Sequence, residues 1–188
     1  MDSLSNHFLI AMPSLQDSHF HRAVVLLGEH NEGGAMGVVI NHPTELPFSK
    51  ILDHFDITTD DASLSGQKVL RGGPLRKDHG FILHQPQGAW KGMVPIADDL
   101  GLTTSRDILQ AMVEEEGSAP RPEQALVILG CAGWLPGQLE EEIRDNVWLS
   151  VPADPYILFE CPYHDRWRQA AGLIGVDVER LSSEAGHA

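Results

Sequence analysis

The chain has 188 residues, of which 42% are hydrophobic, enough to bury a sizeable core and too many for a disordered protein. Its formal net charge is −14, from 27 acidic residues against 13 Lys and Arg. Such a surface repels phosphate backbones and anionic membranes at long range, which disfavours direct nucleic-acid binding. Two cysteines, Cys131 and Cys161, stand outside any CxxC motif, which excludes a disulfide framework and fits a reducing cytoplasm.

Taken in order, His7 to Met12 (HFLIAM) reads as a first strand stopped by Pro13, and Leu15 to His21 as a polar connection. Ala23 to Leu27 and Met36 to Ile40 read as the two strands of an antiparallel hairpin. The turn-rich segment EHNEGG joins them, and Asn41-His42-Pro43 ends the second. Pro47 to Phe55 is expected to be a short helix with Phe48, Ile51, Leu52 and Phe55 inward, followed by an exposed acidic loop over 56–67. Val69 to Arg71 and Gly80 to His84 read as short strands, with a turn over 85–92. Leu102 to Gly117 has helical spacing, with Thr104 or Ser105 as cap, Ile108, Leu109 and Met112 as its apolar stripe, and Gly117 as its stop. A proline-bearing loop over 118–123 follows.

The stretch from Ala125 to Leu149 reads as a strand, a glycine-rich turn and a helix. Leu126 to Leu129 is an apolar run without alternation, the pattern of a strand covered on both faces. Gly130 and Gly133 flank Cys131-Ala132, and Pro136 suits a first helical turn. Leu135, Leu139 and Ile143 share a face, with Glu140 and Arg144 spaced to pair on the other. Trp148 to Val151 and Tyr156 to Phe159 read as extended segments, Asp165 to Ile174 as a last helix, and the tail SSEAGHA as mobile. No apolar run approaches the roughly 20 residues of a membrane span, and no basic, apolar leader opens the chain. With no repeat and no linker, one domain over residues 1–188 is expected, with room for a small subdomain.

Four segments carry a family resemblance: FLIAMPSLQDSHFHRAVVLLGEHNEGGAMGVVINHP at 8–43, VLRGGPLRKDHGFILH at 69–84, TTSRDILQAM at 103–112 and LGCAGWLPGQLEEEIRDNVWL at 129–149. Through these the chain resembles the YqgE/AlgH family of bacterial proteins over nearly its whole length. Gly28 stands where the family often has a cysteine, and Cys131 where a tyrosine is common. The resemblance implies an α+β fold with a bent, mixed or mostly antiparallel, partly barrel-like sheet flanked by helices. It implies little about biochemistry, since the family has no agreed catalytic activity, although some members are labelled transcriptional regulators.

Three constellations offer chemistry. Cys131, read at the entrance to a helix, would have its thiolate favoured by the helix dipole, with the amides of Ala132, Gly133 and Trp134 as an oxyanion site. The bland alternative is a small buried residue in a tight turn. Arg71 beside Gly72 and Gly73 joins a guanidinium to flexible backbone amides that could hold a carboxylate or phosphate; a plain turn fits as well. Asp17 or Asp78, with His84 and Cys131, supplies the residue types of a Cys-His-Asp set, although spacing does not bring them together. Trp134 and Trp148 fit core or pocket wall better than nucleic-acid stacking. His19, His21, His79 and His84 match no zinc spacing, and neither a P-loop nor a dinucleotide fingerprint is present, so no metal or cofactor is expected.

These features favour a cytoplasmic, non-enzymatic protein that binds a small ligand or a protein partner and affects transcription at most indirectly. The candidate binding residues are Arg71, Gly72, Gly73, His84, Cys131, Gly133 and Trp134. The alternatives are a thiol-dependent or hydrolytic enzyme using Cys131, and a direct DNA-binding regulator.

Overall fold

Ten strands form one bent sheet with helices packed on it, in a computed structural model that describes residues 3–114, 121–178 and 180–181. Strands β1 (His7–Ala11), β2 (Val24–Asn31) and β3 (Gly34–Val39) run antiparallel side by side, and β1 also pairs with β10 (Trp148–Pro152). The expected hairpin is present, with longer arms and a tighter turn at Glu32-Gly33. Its residues Val24 to Leu27 are buried without alternation because both faces of the sheet are covered here.

Strand β9 (Gln124–Trp134) joins the two halves of the sheet. Its first half lies between β5 (Lys68–Arg71), parallel to it, and β6 (Leu75–Gln85), antiparallel. Its second half pairs with β3, as Ala35 with Trp134, Met36 with Gly133 and Gly37 with Ala132. The change of partner falls at Gly130, where φ is +78° and β6 skips register between Leu75 and Gly80. An αL glycine is the usual hinge of such a bulge. Beyond β6 lie β8 (Leu100–Thr103) and β7 (Val94–Ala97), and β4 (Pro43–Pro47) pairs with β5. The sheet curls until Ile96 of β7 reaches Gly28 of β2, but it does not close.

Three apolar clusters fill the spaces this bend creates. Phe8, Ile10, Leu26, Val38, Leu83, Leu102, Leu126 and Ile128 face one another inside the curl. The helices α5 (Pro155–Phe159) and α6 (Arg166–Gly172) belong to this cluster through Ile157, Leu158, Trp167 and Ala170. Trp167 donates its indole N–H to the Ala11 carbonyl, and Arg166 donates to the carbonyls of Cys161 and Ile40, fixing α6 to β1 and β3. On the outside of β1–β3 a second cluster holds Trp134, Leu139 and Trp148 under α4 (Gln138–Arg144). The third lies outside β5, β6 and β9, under α1 (Phe48–His54) and α3 (Arg106–Val113).

Several expectations are corrected. Leu100 to Thr103 is a strand, so α3 begins four residues later than Leu102, and the expected stop at Gly117 lies outside the described residues, as does the tail. Tyr156 to Phe159 is helical, because Pro155 opens the first turn and the Asp154 carboxylate accepts the Ile157 N–H at 3.0 Å. Glu140 does not pair with Arg144. It accepts from Nε2 of the buried His30 at 2.9 Å, while His30 Nδ1 accepts the Leu4 N–H. The acidic loop holds a short helix, α2 (Ala62–Ser65), capped by Asp61.

Glu142 of α4 accepts from two buried indoles at once. Its Oε2 lies 2.8 Å from Nε1 of Trp134 and 2.8 Å from Nε1 of Trp148, whose rings meet edge to face. Replacing Glu142 by Ala strands two buried donors. At about 1–3 kcal/mol each, the expected loss is roughly 2 kcal/mol or more. Urea unfolding followed by tryptophan fluorescence measures it; an unchanged midpoint would remove Glu142 from the packing of α4.

Candidate functional site

Cys131 is not at a helix entrance. It lies inside β9, paired with Leu75, and the chain stays extended through Trp134. Helix α4 starts only at Gln138, after a turn in which Pro136 precedes the αL residue Gly137. The expected amide nest at Ala132, Gly133 and Trp134 is therefore a strand ladder against β3. Cys131 is 5% exposed, and burial pushes its thiol pKa up despite the opposing charge of Arg76. His84 pairs with Ala125, six positions along β9 from Cys131, roughly 20 Å at strand rise. No base reaches the thiol by hydrogen bond among the described residues.

Gly72 and Gly73 have a different role from the one the turn reading gave them. A Cβ on Gly72 would meet the Gly130 carbonyl, and one on Gly73 the Cys131 carbonyl. The Gly72 N–H already donates to Leu129 at 2.7 Å, and its carbonyl accepts from Val39. These glycines bring backbone against backbone. The Gly72 amide is therefore not free to meet an anion, and Arg71 itself is exposed.

His84 is fully buried. Its Nδ1 faces the Pro86 carbonyl at 3.1 Å and so carries the proton, while Nε2 accepts from the Thr103 hydroxyl at 2.7 Å. Gly101 leaves room for the ring, since a Cβ there would stand 2.9 Å from His84 Cε1. Every polar atom of the ring is thus used within the fold.

The structure instead opens a cleft of about 260 Å³ over the third core cluster. Its floor is Ile51 of α1 and Phe55 just after it, Ile82 of β6, Leu109 of α3, and Val127 and Leu129 of β9. Its rim carries His54, Asp78, His79, Ser105 and Arg106. The bulged part of β6 supplies Asp78 and His79, because the register skip lifts these residues off β9. Arg106 donates from Nη2 to the Phe55 carbonyl at 2.8 Å, which links the start of α3 to the residue that follows α1.

At the α3 end, Ser105 occupies the N-cap position with extended backbone, yet its side chain makes no capping bond. Its hydroxyl oxygen is buried and has no hydrogen-bond partner. The first-turn amides of α3 thus lack the side-chain acceptor that such a residue ordinarily supplies. Of the cleft residues, sequence reading had singled out Asp78 and His79 for other sets and Ser105 as a cap. It missed His54 and Arg106, which no spacing connects, since the topology alone brings them together. Among the described residues no cluster of His, Cys, Asp or Glu is arranged to hold a metal ion, and no helix is long and apolar enough to cross a membrane.

Fold and cleft define an α+β protein built on a bent ten-stranded sheet, with one side of β9 opening to a small apolar-floored site. The chain belongs to the AlgH-like family, whose model matches residues 8–179. It is 50% identical over 186 residues to a UPF0301 protein of Thioalkalivibrio sulfidiphilus, covering 99% of this chain and 97% of that one. A UPF0301 protein of Stenotrophomonas maltophilia is 48% identical over 185 residues, covering 98% of this chain and 96% of that one. The solution structure of the AlgH protein from Pseudomonas aeruginosa superposes with a TM-score of 0.78 at 41% identity, covering 99% of this chain and 96% of that chain. The crystal structure of a Corynebacterium diphtheriae protein, 24% identical, shares the fold at a TM-score of 0.73 over 97% of this chain and 93% of that one.

Two outcomes follow from these environments. Cys131 and Cys161 are both buried with their pKa pushed up by burial, so iodoacetamide should label neither in the folded protein and both after denaturation. Rapid labelling of native Cys131, read by peptide mass, would contradict this. His84 and His42 are held below their ordinary value of 6.5, chiefly by burial. The unfolded chain then binds protons first, so their contribution is full above about pH 6.5 and is lost as pH falls below it. The urea midpoint should drop between about pH 7.5 and 5, with a shallower slope in His84→Asn.

Proposed function

We propose that this protein acts by binding, without catalysis at Cys131, and that the α1–α3 cleft is where it takes a small ligand. The observation that carries this reading is the cleft itself, an apolar floor with hydrogen-bonding groups gathered at one rim. That is the general form of a small-molecule site, and at about 260 Å³ it falls just below the common range of about 300–1,000 Å³, so the ligand is small. The thiol-enzyme alternative loses support from the burial of Cys131, its raised pKa and the distance of His84.

Any effect on transcription is read as indirect. A net charge of −14 opposes a DNA duplex, and no DNA-reading motif offsets it. Two cysteines without a disulfide suit a reducing cytoplasm.

Amide NMR tests the reading with two small amphiphiles, hexanol and hexanoate, and a duplex DNA control. Resonances of Gly80, Ser105, Leu109 and Leu129 should move with at least one amphiphile, and the spectrum should stay unchanged with DNA at physiological salt. If the cleft resonances stay still with both amphiphiles, the cleft is not a binding site and the reading falls.

A further inference from the structure

Resting on the binding reading above, we infer that the ligand is a small organic anion with an apolar body, its charged head at the α3 end of the cleft and its body on the floor formed by Leu109, Val127 and Leu129. Three groups belong to residues 105 and 106 and the first turn of α3, where the cleft meets that helix. Arg106 brings a guanidinium to the rim, with one of its nitrogens engaged by Phe55 and the fork held in place by that bond. A guanidinium so fixed recognises a carboxylate or phosphate by directed hydrogen bonds as well as by charge. Ser105 supplies a buried hydroxyl with no partner in the protein. A buried polar group left unpaired costs free energy, and an incoming acceptor removes that cost. The first-turn amides of α3, uncapped by a side chain, add the positive end of the helix dipole at these same residues.

The apolar floor sets the rest of the molecule. Leu109 and Val127 are buried members of the third core cluster, with Leu129 packed against them, so the cleft is a partly uncovered part of that core. A fully hydrated ion such as free phosphate would leave this floor uncovered by anything apolar. Hydrocarbon gains there what it gains in any core. The Asp78 carboxylate lines the same cleft from β6 and repels an anion, which places the head on the Arg106 side.

The test compares hexanoate, hexanol and inorganic phosphate by amide NMR titration. Hexanoate should shift the amides of Ser105, Arg106 and Ile108 and bind about tenfold tighter than hexanol or more, the increment of a charge-assisted hydrogen bond or two. Phosphate alone should bind more weakly than hexanoate. Arg106→Gln and, separately, Ser105→Ala should weaken hexanoate more than hexanol, in variants whose remaining spectrum matches the parent. Hexanol equal to hexanoate would leave the cleft a binding site and overturn the anionic head. Phosphate equal to hexanoate would overturn the apolar body. Equal weakening of both amphiphiles in the variants would overturn the assignment of the head to Arg106 and Ser105. Stillness of the cleft with every probe would overturn the binding reading as well.

Discussion

The architecture depends on a close approach of backbone to backbone, where Gly72 and Gly73 lie against Gly130 and Cys131. A Cβ on Gly130 would stand 2.8 Å from the Gly73 carbonyl, and those on Gly72 and Gly73 would run into β9 itself. Because none is present, β5 comes close enough to pair with β9, and β9 bends at an αL residue without losing its edge to β6. That bend allows one strand to serve β5 and β6 in its first half and β3 in its second. It also lifts Asp78 and His79 away from the sheet. The three cores and the cleft all follow from the same few missing methyl groups.

Much of this was legible where apolar pattern and turn chemistry agree. The hairpin over 23–40, the Leu126–Leu129 strand and α1 come from uninterrupted apolar runs or a helical stripe bounded by Gly, Asn and Pro. The errors share a cause, which is that one residue type serves two physical purposes. Glycine around Cys131 reads as a turn into a helix, whereas Gly130 bends a continuing strand and Gly72 and Gly73 give that bend room. Leu102 fits the apolar stripe of α3 and equally the buried strand β8, whose Gly101 is required by the His84 ring rather than by a turn. Tyr156 to Phe159 has bulky, strand-favouring side chains, and the Asp-Pro entrance outweighs them. The cleft was the least legible, since its lining is divided among α1, β6, β9 and α3 and no local pattern marks the set.

The contrast between Cys131 and Ser105 shows why position outranks residue type. The thiol is the more reactive group in solution, but in the fold it is a small apolar filler packed in the inner core cluster. The serine hydroxyl is chemically modest, yet it is buried beside a cleft with its hydrogen-bonding capacity unused. Recognition draws on groups whose demands the protein has not already met. His84, with both ring nitrogens satisfied, illustrates the opposite case.

The pairing order of the strands bears on how the chain is made. β1 pairs with β2 at once, but its other edge waits for β10, and β3 waits for β9. At a synthesis rate of about 5–20 residues per second, the first hairpin spends on the order of ten seconds with open edges before β9 is complete. Leu9 to Ala11 of β1, Val24 to Leu27 of β2 and Val38 and Val39 of β3 are apolar and buried in the finished fold. The nascent N-terminal hairpin is therefore the sticky part of this chain on the ribosome, and it is the segment a chaperone would be expected to shield.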